Sequence, residues 1–202
     1  MANFSSISID AFNAMQLEAG MLLRTFNPAS PTDPDDDDII CTTTGGINVS
    51  CVPTYSDLGE DVDNCPNNTM ELKHLDGWDS TMAFTSLNFS PASLKLALGV
   101  ADIDTSDPSK VTPRGDLKQT DFSDLWWVGN RVDGGVAAAL LKNGLSTSGL
   151  VIQTTKNGKG QISVTLTGHT SIASQTTMPM EFYSAAPEDT MSLNNTETYE
   201  AE

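Results

Sequence analysis

The run GLVIQTTKNGKGQISVTLTGH, Gly149 to His169, decides how the rest of the chain is read. Asn157-Gly158 at its centre is a hairpin signal, because both residues tolerate the backbone a tight turn needs. A two-residue turn there would set Ile152 against Ser163 and Gln153 against Ile162, mixing apolar and polar side chains on each face. Shifting the register by one sets Leu150 against Leu166, Ile152 against Val164 and Thr154 against Ile162. The large apolar residues then gather on one face, and Val151, Gln153, Thr155, Gln161, Ser163 and Thr165 form the other. A one-residue slip inverts every side chain, so the pattern selects the odd loop, a type I turn with a glycine bulge. One face is expected in a core and the other is neutral and polar.

Strand-like segments lie on both sides of this hairpin. DLWWVGNRVDGG, Asp124 to Gly135, places Trp126 and Trp127 side by side. Adjacent residues of a strand face opposite ways, so the pair makes no coplanar platform, and a strand holding both must be covered on two sides. That double cover is expected to come from a neighbouring subunit. QLEAGMLLRTF, Gln16 to Phe26, reads as a strand with a bulge at Gly20, and MPMEFYS, Met178 to Ser184, as a closing strand. IICTTTGGINVSCV, Ile39 to Val52, reads as two strands about Gly45-Gly46, with Cys41 opposite Ser50 and Cys51 on the other face. One helix is expected over Ser90 to Asp102, with Ser90 as N-cap, Pro91 in the first turn and Leu94, Ala97, Leu98 and Ala101 as its packed stripe. NPASPTDPDDDD, residues 27–38, is a solvated loop, and Pro53 to Trp78 is an acidic, turn-rich, nearly strandless connection. The whole is a mainly β protein of one domain, residues 1–202.

Charge and chemistry narrow the function. With 27 acidic residues against 10 basic ones the formal net charge is -17, and no basic cluster exists to grip phosphates. Cys41, Cys51 and Cys65 form an odd set without CxxC spacing, which fits neither a disulfide framework nor zinc. His74 and His169 stand in no ligand spacing and read as structural. GLSTSG, Gly144 to Gly149, does not fit the GxSxG elbow, and NGKGQ is no phosphate loop. The Asp-rich loop lacks the glycine and distal Glu of a calcium loop. The start, MANFSSISIDAF, has no basic and apolar signal-peptide pattern, and no apolar run has the ~20 residues of a membrane helix. No enzyme, metal or cofactor is expected.

DLGEDVDNCPNNTMELKHLDGW (Asp57 to Trp78), DFSDLWWVGN (Asp121 to Asn130), TTKNGKGQISVTLTGHTSI and MPMEFY occur in that order. Together they resemble the major tail tube protein of long, non-contractile-tailed bacteriophages and related prophages, over about Leu17 to Tyr183. The resemblance implies a phage tail tube fold, two packed β-sheets flanked by one α-helix, forming a shared β-barrel in a hexameric ring. Stacked rings would make a hollow tube in the virion tail, assembled in the host cytoplasm. The partners implied are copies of the chain itself and the tail terminator, distal tail and tape measure proteins, with genomic DNA passing through the lumen unbound. On this resemblance residues 53–78 are an inter-ring loop contacting through Asp57, Glu60, Asp61, Asp63, Asn67 and Asn68, while Trp126 and Trp127 lie at subunit contacts. Gln153, Thr155, Gln161 and Ser163 would face the lumen, and residues 1–14 form an N-terminal arm. Residues 185–202 are a C-terminal tail that matches nothing in that family and reads as disordered on composition. The competing expectation is a monomeric β-sandwich that binds carbohydrate through Trp127 and the Asp loops.

Overall fold

A computed structural model describes residues 6–187. Its elements are α1 (Ile9–Asn13), β1 (Gln16–Leu23), β2 (Thr43–Asp57), β3 (Lys73–Ser86), α2 (Pro91–Leu98), β4 (Ala101–Ile103), β5 (Val111–Pro113), β6 (Ser123–Arg131), β7 (Val136–Ser146), β8 (Val151–Gln153), β9 (Gln161–Thr167) and β10 (Met180–Ala185). The protein is mainly β, built on a large antiparallel sheet of order β1-β6-β7-β9-β3-β2, with β10 on β7, β8 on β9, and β4–β5 as a separate ribbon.

β7 is where the sheet divides. One edge pairs with β6, while the other pairs with β10 along Val136 to Leu141 and then with β9 at Leu145 and Ser146. Between these partners Asn143 adopts φ 47, a left-handed kink that asparagine tolerates better than most residues. Three bonds hold it: the Asn143 amide donates to Asp124 Oδ1 at 2.8 Å, its side-chain amide donates to the His169 carbonyl at 2.9 Å, and His169 Nδ1 lies 3.2 Å from the Asn143 carbonyl. With Phe122 edge-on to its ring at 5.2 Å, His169 is a structural residue. At the far ends of the sheet, residues 38–42 bridge β1 and β3: Arg24 N–H donates to Asp38 O, Ile40 N–H to Leu22 O, and Leu87 N–H to Thr42 O.

The main core lies within this bend. Leu22, Met82, Leu125, Leu141, Ile162 and Leu166 are almost wholly buried, and Ala97 brings α2 onto them. Each large aliphatic side chain so buried contributes about 1.5–3 kcal/mol against the unfolded chain. Helix α2 starts where the sequence places it, with Ser90 Oγ accepting from Ser93 N–H and Pro91 in the first turn, but it ends at Leu98 before Gly99 at φ 74, and Ala101, expected in its packed stripe, belongs to β4. A smaller cluster of Leu23, Trp126, Ala138 and Leu140, with Phe26, Ile39, Val128 and Tyr183 around it, packs on the other side of the β1-β6-β7-β10 portion.

Several expectations need correction. Gly45 and Gly46, at φ 77 and 84, make no turn between two strands; they form a bulge inside the single fifteen-residue strand β2, where pairing with β3 jumps from Thr44 to Ile47. Cys41 therefore does not face Ser50, and Cys41 and Cys51 both pack on the main core as free thiols. Residues 53–78 are not strandless, because β2 and β3 stay paired out to Asp57 and Lys73. The β8–β9 register sets Ile152 against Ile162 and Gln153 against Gln161, two residues from the expected pairing. The parity of faces survives, since Ile162, Val164 and Leu166 are buried, but β8 is exposed throughout. α2 is accompanied by a second, short helix, α1, in the N-terminal arm, so the helix expected alone is one of two. Of the C-terminal tail, residues 188–202 lie outside the described residues.

Candidate assembly surfaces

The predicted contact residues of residues 57–68 share one structure, an arm made by the outer halves of β2 and β3 and the knob between them. Asp57 closes its neck: Oδ1 accepts from Gly59 N–H at 3.0 Å and Oδ2 from Lys73 Nζ at 3.2 Å. The Gly59 amide first, and Lys73 after it, hold the Asp57 carboxyl below its ordinary range. Leu58 N–H donates to Leu72 O, Val62 N–H to Gly59 O and Cys65 N–H to Val62 O, so the knob is a folded turn sequence. Packing at Gly59 is close, since a Cβ would stand 2.8 Å from Leu72 Cδ1 and 3.0 Å from Cys65 Sγ, and either side chain would have to shift. Asn64 and Asn68 take the left-handed backbone, both at φ 61. Glu60, Asp61, Asp63, Asn67 and Asn68 lie exposed on the knob.

The arm also carries apolar surface. Tyr55, Leu58, Val62, Met70 and Leu75 are exposed, and Trp78 stands at its root. Pro53 opposite Trp78 and Tyr55 opposite Leu75 extend outward the face that Ile47, Val49 and Cys51 present to the core. Exposed apolar residues scattered singly are ordinary, and it is their gathering on one ribbon and its knob that makes the arm a candidate contact surface.

A different surface lies on the body of the sheet. Opposite the buried face of β9, Gln161, Ser163, Thr165 and Thr167 align across the register with Thr85, Ala83 and Thr81 of β3 and with Thr44, Asn48 and Ser50 of β2. Val151 and Gln153 of β8 complete it. In a chain with 27 acidic residues, this run of residues carries none and no basic residue either. Gln153, Gln161 and Ser163 belong to the face as expected; Thr155 sits in the loop, its carbonyl accepting from Gly158 N–H. The β2 and β3 members escaped the sequence reading, although the alternation Ser80, Met82, Phe84, Ser86 against Thr81, Ala83, Thr85 was there to find them.

Trp126 and Trp127 do face opposite ways, and the chain itself buries Trp126 and half-buries Trp127. Trp126 is 9% exposed between Phe26, edge-on at 5.5 Å, and Tyr183 at 5.4 Å. Trp127 packs on the main core and its indole N–H donates to Ala19 O at 2.9 Å. The β1 bulge makes this fit: a Cβ on Gly20 would lie 2.6 Å from Trp127 Nε1 and 2.5 Å from Val128 O. The chain alone buries Trp126, while Trp127 keeps part of its surface open. Beside Trp126, a trough between β1 and the 27–38 loop is lined by Leu17, Met21, Phe26, Pro34, Val128 and Val136.

No family model matches the chain, and no curated protein compared with it is similar. Among the described residues no helix is long and apolar enough to cross a membrane, and no three His, Cys, Asp or Glu side chains group as metal ligands would.

Proposed function

We propose that this protein is a self-assembling structural subunit of the tail tube kind, whose hexameric rings stack into a hollow conduit for a phage genome. The observation that carries the reading is the free edge of β2. Among the described residues it is a fifteen-residue strand bonded on one side only, without a charged residue before Asp57. Long uncharged edges are templates for another strand, and soluble monomers blunt them with lysines, prolines, bulges, short length or a covering element. β2 has a bulge at Gly45-Gly46 and a proline at Pro53, and Ile47 to Val52 between them is a regular, uncharged run. A second strand at that edge satisfies the open amides and carbonyls. β8, the other end of β2-β3-β9-β8, has the complementary free edge. Repeating this pairing around a ring closes a barrel and covers the β2 and β8 edges.

In such a barrel the neutral polar face of β2, β3, β9 and β8 lines the lumen. Duplex DNA is held through Lys and Arg on its phosphates, so a wall of hydroxyls and amides lets it pass without retention. The arm then projects towards an adjacent ring. The test is to place cations on the wall: Gln153→Lys with Ser163→Lys should yield assemblies that retain DNA in a salt-dependent way. Assemblies that exclude DNA as the parent does would remove these residues from the lumen.

A further inference from the structure

Between Asp133 and Glu181 the chain has no acidic residue, and residues 39–56 have no charge of either sign. The knob and neck of the arm, by contrast, hold Asp57, Glu60, Asp61, Asp63, Glu71 and Asp76 against Lys73. The register fixes where these regions lie. β3 meets β9 from Thr81 opposite Thr167 to Ser86 opposite Ile162. The arm continues β3 beyond the Thr81 end; the β8–β9 loop, residues 154–160, leaves β9 beyond the Ile162 end. The acidic knob and the lysine-bearing loop therefore stand at opposite ends of the same four strands. On that loop Lys156 and Lys159 are exposed and make no ion pair among the described residues, as do Glu60, Asp61 and Asp63 on the knob.

We propose that the acidic knob of one copy docks on the Lys156–Lys159 loop of the next, a head-to-tail contact along the strand direction. This rests on the tube reading and names the surface that receives the arm. The occupant is a second copy of the chain, because this chain carries both halves of a complementary charge pair at opposite ends. A contact between two different patches of one molecule does not close on itself as a two-fold dimer does; it propagates, and produces a stack. The charges set polarity and register, since like-charged ends repel when two copies meet tip to tip. The exposed apolar residues of the knob, Leu58, Val62 and Met70, supply contact area beside them.

Two variants test it. Lys156→Glu with Lys159→Glu reverses the loop, and Asp61→Lys with Asp63→Lys reverses the acidic knob at two positions. Each alone should raise the concentration needed for stacking about tenfold or more, read by sedimentation, and an equimolar mixture should restore it because each variant then meets its complement. Parent stacking should weaken as salt rises. All four residues are exposed, so circular dichroism melts should match the parent; if the Glu pair misfolds, Lys156→Gln with Lys159→Gln should still weaken stacking and its salt dependence, and unchanged stacking there overturns the docking. A reversed variant that stacks like the parent, or a mixture that fails to recover, overturns the docking alone. A parent chain that never assembles overturns the tube reading and this contact with it.

Discussion

The inner and outer halves of the β2–β3 ribbon use the same pairing and differ in what covers them. From Ile47 to Cys51 and from Ser80 to Ser86 one face is pressed into the main core, with Met82 and Phe84 at its centre. From Pro53 to Asp57 and from Lys73 to Trp78 the ladder continues, yet Tyr55 and Leu75 stand in solvent. The body half derives its stability from burial, whereas the arm half has only its ladder, the Asp57 neck and the folded knob. A two-stranded ribbon is marginal alone. The difference teaches that the arm is held as an appendage of the core, with its apolar side chains left uncovered by the described chain.

The largest effects should fall on the covered side. Trp126→Ala empties the smaller cluster and should cost about 3–5 kcal/mol in denaturant unfolding. Trp127→Ala should cost a similar ~3–5 kcal/mol, and a double mutant that folds and assembles normally would remove the account of the pair. Gly20→Ala, forcing a Cβ onto Val128 O and Trp127 at φ 73, should cost about 2–4 kcal/mol.

On the arm the ordering should invert, with little change in fold and much in association. Replacing residues 58–72 by a two-residue turn should leave unfolding within ~1 kcal/mol of the parent while preventing rings from stacking. Unchanged stacks would break the comparison. The smallest effect concerns pH. Because the Asp57 carboxyl is held below its ordinary value in the folded arm, its contribution is complete above that ordinary value and is lost as pH falls through the lower folded one. The Gly59 amide resonance should accordingly stay fixed from neutral pH down to the usual carboxylate range and move only below it. A shift near neutrality would contradict the neck described for the arm.

What could be read from the sequence follows the same division. Sequence patterns record burial, so the buried alternation Ile162, Val164, Leu166, the Gly20 bulge and the Ser90–Pro91 helix start were all legible. Opposite facing of the tryptophans followed from strand geometry alone. Residues 53–78 read as a connection because an uncovered ribbon has no apolar–polar alternation to display. Gly45-Gly46 looked like a turn because a positive φ serves turns and bulges equally, and only the partner strand distinguishes them. The β8–β9 register differs by two because Ser146 of β7 takes Leu166 and Thr147 N–H still donates to Thr165 O, so the chain bulges before β8 and Leu150 loses its expected partner. The neutral face was half visible: β9 displayed it, while β2 and β3 joined it only through long-range pairing.

The central claim is that the free β2 edge and the uncovered arm are completed by copies of the same chain. Negative-stain electron microscopy of the purified protein across a concentration series, with light scattering alongside, tests it most directly. The account predicts rings with a central hole at low occupancy and stacked tubes as concentration rises. Single-chain particles at every concentration, with the β2 edge amides exchanging freely with solvent, would contradict it.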